Sequence, residues 1–270
     1  MNERVGRTLD SGAGSFVYVD AVSRVRLQVF YYRPQTLFKN RPILFVMHGV
    51  KRNAQQYRDS WIPYAQQFGT FLVAPQFSEK CFPGWKGYNL GGLTDNGMPP
   101  NASAFAVLER LFDYIRHASA CAPNYYLIYG HSAGAQFVHR LVLLHERNRA
   151  HIAIAANAGW YTLPTFETEY PYGLANSPCR NVDLRGAFRK RLVILLGKSD
   201  TDENDENLRR TNEAMMQGVH RLQRGQNKFQ VAKSMASYIG TEFRWEMKVV
   251  PEVGHSNRAI AKKAAKILFA

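Results

Sequence analysis

The run Tyr125-Tyr126-Leu127-Ile128-Tyr129-Gly130-His131-Ser132-Ala133-Gly134-Ala135-Gln136-Phe137-Val138-His139-Arg140-Leu141-Val142 decides how the rest of the chain is read. Residues 125–129 are aromatic or aliphatic without a break, the pattern of a strand covered on both faces. Phe137, Val138, Leu141, Val142 and Leu144 then recur at helical spacing. Between the two patterns stands Gly130-x-Ser132-x-Gly134. Strand, sharp turn and helix around such a pentapeptide present a serine hydroxyl at the top of an α/β sheet. The glycines have a steric reason, since without a Cβ they let strand and helix close around the serine. Ala133 opens the helix, where amides lack intrahelical partners, so its N–H is a candidate donor to an oxyanion.

Outward from this stretch, short apolar runs alternate with helical patterns, which predicts βαβ units around a mostly parallel sheet. Strands are expected at 16–19, 26–32, 43–47, 71–74, 125–129, 152–156, 192–196 and 245–250, the first two as an antiparallel lead-in. Ala104, Val107, Leu108, Leu111, Phe112 and Ile115 share one helical face, capped by Asn101 or Ser103. Ile260, Ala264, Ile267 and Leu268 repeat the pattern in a last helix, capped by Ser256 or Asn257. We expect one domain over residues 1–270. Two long connections, 76–101 and 159–186, are rich in aromatic residues and are expected to wall a substrate cleft.

A serine hydroxyl is a weak nucleophile until a base takes its proton and a third group orients that base. His255 is the best placed of the eight histidines, in Pro251-Glu252-Val253-Gly254-His255 between the last strand and the last helix. Loops past the carboxyl ends of strands are where open α/β sheets carry function. His139 and His145 fall inside the helix after Ser132, on faces turned from its start. His131 adjoins Ser132, but neighbours in a tight turn diverge, so it is expected in the substrate pocket with Trp160 and Tyr161. The acid should precede the histidine in chain order. Asp200 is the first carboxylate after the strand at 192–196, with Asp202 as the alternative. The acidic run they belong to fails as a calcium loop, with Asp205 where a glycine is needed and Thr211 where a glutamate is needed. The second oxyanion donor is expected from the loop after the strand at 43–47, at the N–H of Val50, with His48 bracing the turn. Arg52 and Asn53 either brace that loop or meet substrate.

Bulk properties narrow the function classes. The chain has 270 residues, 46% hydrophobic and 21% charged, enough to bury a core without staples. Its net charge of +14 is scattered rather than clustered. A basic solvated surface is therefore expected, with no nucleic-acid partner and an acidic substrate left open. Cys81, Cys121 and Cys179 are widely spaced and are expected as free thiols, with one bridge as the alternative. No run is long enough for a transmembrane helix. Met1 to Asp10 carries no apolar core, so a cytoplasmic location is expected, or a periplasmic or secreted one if a leader is removed.

With these residues in place, the chain resembles the α/β-hydrolase superfamily over nearly its whole length. Within it, the chain is similar to the bacterial branch of poly(3-hydroxybutyrate) depolymerase-like (LpqC-like) esterases, related to feruloyl and acetylxylan esterases. The segments that carry the resemblance are 47–54, the turn around Ser132, 197–202 and 251–257, with 217–221 also familiar. The resemblance implies an α/β-hydrolase fold and ester hydrolysis with Ser132 as nucleophile, Asp200 as acid and His255 as base. Such chemistry requires no metal and no cofactor, and a small-molecule or oligomeric ester is the expected partner. A serine peptidase or acyltransferase is the alternative on the same machinery, and a non-catalytic binding protein is a more distant one.

Overall fold

The computed structural model describes residues 9–93, 100–119, 121–179 and 181–270. Eight strands form one sheet: β1 (Gly12–Val19), β2 (Arg26–Arg33), β3 (Ile43–Met47), β4 (Leu72–Gln76), β5 (Tyr126–His131), β6 (Ala150–Ala156), β7 (Arg191–Gly197) and β8 (Glu246–Val250). The helices are α1 (Ala54–Phe68), α2 (Gly84–Gly87), α3 (Ala104–Ser119), α4 (Ala133–Leu144), α5 (Leu184–Arg189), α6 (Asn212–Gln217), α7 (Arg221–Tyr238) and α8 (Asn257–Leu268). Sheet order is β1-β2-β4-β3-β5-β6-β7-β8. Pairing is antiparallel for β1 with β2 and for β2 with β4, and parallel from β4 to β8.

The central strands are apolar throughout because both faces are covered. In β3, Ile43, Phe45 and Met47 join a core shared with α3, α4 and α7, while Leu44 and Val46 face the opposite core, shared with Trp61 of α1 and Ile260, Ala264 and Leu268 of α8. That alternation is the two-residue period of a strand. Ser103 caps α3 through Ala106 N–H at 3.2 Å, and Ser256 caps α8 through Ala259 N–H at 3.3 Å. All three cysteines are free. No helix among the described residues is long and apolar enough to cross a membrane.

Chain order reverses around β3, which lies between β4 and β5. Parallel sheets leave a crevice at the carboxyl ends of the strands where the connections diverge. Register puts Met47 opposite Gly130, so the loop after β3 and the turn after β5 leave the sheet side by side. The two aromatic connections both emerge at this end. Residues 94–99 of the first lie outside the described residues, and the second ends earlier than expected, because Asp183 already caps α5. Much of their aromatic content is buried: Phe77, Phe82 and Tyr88 enter the main core, and Trp160 and Tyr172 form a third cluster with Leu90 and Ala214.

Candidate active site

Ser132 is half-buried at the turn between β5 and α4, with φ 57° and ψ −115°. Holding a non-glycine residue there costs on the order of 1–3 kcal/mol, a strain typical of functional positions. The neighbours impose it. Ser132 N–H donates to Ala156 O at 3.0 Å, and its carbonyl accepts from Gln136 N–H at 3.1 Å. A Cβ at Gly130 would lie 2.2 Å from Gly134 O, and one at Gly134 would lie 2.3 Å from Met47 O, so only glycine allows this packing. A Cβ at Gly49 would come within 3.9 Å of Ser132 Cβ, which puts the turn after β3 against the serine. Val50 follows in that turn, closed by Arg52 N–H on Gly49 O at 3.2 Å, and Ala133 is the first residue of α4.

His255 and Asp200 come together from loops 55 residues apart, with His255 Nδ1 2.8 Å from Asp200 Oδ2. Asp200 is buried, whereas Asp202 is exposed and accepts from Asn204 N–H at 2.8 Å in a local turn, so Asp200 is the partner. The loops that carry the pair are stitched together: Lys198 N–H donates to Val250 O and Ser199 N–H to Val253 O, each at 2.9 Å. Asn157, just past β6, joins both. Its Oδ1 accepts from Gly197 N–H at 2.8 Å and its Nδ2 donates to Gly254 O at 3.1 Å. The ring of His255 lies against that of His131, centroids 4.6 Å apart, which brings it beside the residue preceding Ser132. Among the described residues no hydrogen bond joins Ser132 to His255. Catalytic hydrogen bonds are often long until substrate closes the site.

His131 is buried, and desolvation, aided by His255 and Arg221, holds its pKa well below the ordinary histidine range. Its Nδ1 meets Tyr57 OH at 3.2 Å, and that phenol packs against Gly49, where an added Cβ would lie 2.8 Å from the hydroxyl oxygen. His131 thus ties the turn after β3 to the ring of His255. His48 braces the same turn, as expected: its Nε2 accepts from Phe77 N–H at 3.1 Å, and burial pushes its pKa down to about 3. Arg52 also braces, donating to Phe77 O, Phe82 O and Gly84 O and stacking 4.4 Å over Tyr88.

The remaining expected pocket residues are more deeply placed than anticipated. Tyr161 has no exposed surface, and Gln217 clamps its N–H at 2.9 Å and its carbonyl at 2.7 Å, so it backs the site rather than lining it. Trp160 keeps 3% exposure, with the guanidinium groups of Arg140 and Arg209 at 4.2 Å and 5.1 Å from its ring centroid. Arg209 also packs over Trp85 and Tyr172. Arg140, Arg224 and Lys228 are fully buried behind this segment. Their hydrogen bonds run to carbonyls, to amide and hydroxyl oxygens and to one thioether: Arg140 to Asn89 O, Gln136 and Thr162, Arg224 to Gly159 O, Gly218 O, Arg209 O and Met215 Sδ, and Lys228 to Thr162 O. Among the described residues none of the four cations has a carboxylate within ion-pair distance. Buried charges are ordinarily paired, because desolvating an ion costs several kcal/mol. Desolvation accordingly lowers the pKa of Arg140 to about 9 and of Arg224 to about 10, and holds that of Lys228 well below its ordinary value.

Sequence reading does not single out Asn157, Asp205 or this cation group. Position alone offered a signal for Asn157, which stands at the carboxyl end of a strand.

A strained serine between strand and helix, with a histidine–aspartate pair at the same end of a mostly parallel sheet, defines an α/β-hydrolase. No protein-family model and no curated protein matches the chain. Among solved structures it is similar to poly(aspartic acid) hydrolase-1 from Sphingomonas sp. KT-1, with TM-score 0.92 and 41% identity over 97% of this chain and 100% of that one. It is also similar to LpqC, a poly(3-hydroxybutyrate) depolymerase from Bordetella parapertussis, with TM-score 0.88 and 34% identity over 96% of this chain and 90% of that one. The S-formylglutathione hydrolase FrmB of Staphylococcus aureus shares the fold at TM-score 0.61 and 13% identity, over 96% of this chain and 99% of that one. The chain belongs to the α/β-hydrolase superfamily, in its poly(3-hydroxybutyrate) depolymerase-like branch, and is a hydrolase.

Proposed function

We propose that the protein is a serine hydrolase that cleaves carboxylic esters through an acyl-enzyme on Ser132. The observation that carries this is the 2.8 Å His255–Asp200 pair packed, through His131, against the strained turn that bears Ser132. In acylation, Ser132 Oγ attacks the ester carbonyl while His255 Nε2 takes its proton. The carbonyl oxygen becomes an oxyanion that accepts from the backbone N–H groups of Val50 and Ala133. The C–O bond of the leaving alcohol breaks as His255 returns the proton to it. A water then attacks the acyl carbon, giving its proton to His255, and the acid leaves as that proton passes to Ser132. Asp200 holds the His255 Nδ1–H throughout, which fixes the tautomer and stabilises the imidazolium.

Ser132→Ala tests this, assayed on p-nitrophenyl esters and with a fluorophosphonate probe located by peptide mass. The expected loss in kcat is on the order of 10⁴-fold or more, with wild-type labelling at Ser132. A variant that keeps its rate, or a label on another residue, removes the assignment.

A second reading, amide cleavage within an anionic polymer, is favoured by one feature: Arg209, partly exposed over Trp85, Trp160 and Tyr172, has no carboxylate within ion-pair distance among the described residues. A substrate carboxylate would supply the missing counter-charge. The net charge of +14 and the similarity to a poly(aspartic acid) hydrolase support the same reading. Matched ester and amide substrates, each with and without a neighbouring carboxylate, separate the two readings. A higher kcat/KM on the acidic amide selects the second.

A further inference from the structure

The acid of the proposed triad has a charged neighbour on its far side. Asp200 turns Oδ2 to His255, while its Oδ1 lies 3.6 Å from Nη1 of Arg221, with both side chains only 2% exposed. Arg221 Nη2 in turn donates to Asp205 Oδ1 at 2.8 Å. Arg221 Nη1 and Nε have no hydrogen-bond partner, so this guanidinium is committed to the two carboxylates. The backbone reinforces the alignment, because Arg221 opens α7 and the next amide, Leu222 N–H, donates to Asp200 O at 3.2 Å. Asp205 is only partly exposed, and its pKa is lowered, chiefly by the Arg221 hydrogen bond.

The four groups form a line of alternating charge when His255 is protonated: imidazolium, Asp200, Arg221, Asp205. During attack, His255 gains a proton that Asp200 must stabilise. A lone guanidinium beside Asp200 would draw on the same carboxylate and weaken that support. Asp205 offsets the guanidinium, so the three groups beyond the imidazole sum to one negative charge.

We infer that Arg221 and Asp205 are positioning residues that hold Asp200 toward His255 and set how much negative charge it presents there. The inference rests on the proposed triad. It differs from a purely structural tether of the acidic loop to α7 in what happens when charges are removed in pairs. Asp205→Asn leaves the three groups neutral. Arg221→Met removes the group that holds Asp200 Oδ1 and the cation between the two carboxylates, so their repulsion turns Asp200 from His255 although the summed charge is more negative. The double variant restores one negative charge although two side chains are gone.

The experiment measures kcat and KM on a p-nitrophenyl ester, with melting midpoints, for Asp205→Asn, Arg221→Met, Arg221→Lys and the double variant. Each single neutral substitution should lower kcat about tenfold with KM within about twofold, and the double should recover several-fold over the slower single. Arg221→Lys, which keeps the charge without the planar fork, should fall between wild type and Arg221→Met. A double variant as slow as or slower than the worse single overturns the inference. So does a kcat within twofold of wild type in Asp205→Asn, or an effect confined to KM. Should Arg221→Met not fold, Asp205→Asn and Arg221→Lys decide the matter. Fluorophosphonate labelling of the same samples keeps the two readings apart, since wild-type labelling away from Ser132 sinks the triad itself whatever the variants do.

Discussion

Replacing Asn157 with alanine should loosen the site and the fold together. Asn157 is 1% exposed and sits at φ 50°. Its side chain satisfies Gly197 N–H, at the end of the strand leading to Asp200, and Gly254 O, directly before His255. Alanine orphans both groups, at about 1–3 kcal/mol each, and must hold a left-handed backbone at about 1 kcal/mol more. The expected destabilisation is therefore about 5 kcal/mol, which for a chain of this size lowers the melting midpoint by about 10 °C. The backbone bonds from Lys198 and Ser199 remain, so the loops stay near each other but lose their common anchor. A displacement of about 1 Å at a reacting group can cost on the order of 10²-fold, so kcat should fall by about 10–100-fold with KM little changed. Asn157→Gly separates the causes: it removes the same two bonds but accepts the positive φ, and should be about 1 kcal/mol more stable than the alanine variant. Thermal melts and steady-state ester hydrolysis read both effects. An alanine variant that melts within 2 °C of wild type, or that keeps its kcat, would refute the reasoning.

Gly134→Ala should be worse tolerated than an ordinary helix substitution, because the new methyl group would lie 2.3 Å from Met47 O and 2.7 Å from His48 O, both backbone atoms. A loss of about 3 kcal/mol in chemical denaturation, with the β3–α4 approach forced open, is expected; a stabilised variant would contradict the packing. Stability should also fall as pH drops below about 6.5. Burial holds the pKa of His48 down to about 3 in the fold, so between that value and 6.5 the unfolded chain binds the extra proton. The contribution is present above the unfolded value and is lost as pH falls, by about 2 kcal/mol at pH 5 from His48 alone. His131, His139 and His145 are shifted in the same direction by burial. A melting midpoint unchanged between pH 7 and pH 5 would count against this.

The strands were legible because a sheet covered on both faces writes itself as unbroken apolar runs, and the eight expected segments each meet an observed strand. Helices α3, α4 and α8 were legible for the same kind of reason. Helix α7 was not, because Arg224, Gly225 and Lys228 are among its buried positions, and periodicity counts charged residues as exposed. The aromatic connections were recognisable as unusual, but composition does not distinguish a ring that lines a cleft from one, such as Tyr161, that is buried behind it.

By itself, the sequence determined the α/β architecture, the turn around Ser132 and His255 as its candidate base, because strand period, helical period and glycine spacing are local properties. Tertiary structure decided the rest. It paired His255 with Asp200 rather than Asp202, brought Asn157 between two loops, and lined up Arg221 and Asp205 behind the Asp200 carboxylate. Those choices depend on which residues distant in the chain become neighbours, and on which charges lose their water. Both follow from sheet order and burial, and neither can be read from spacing along the chain.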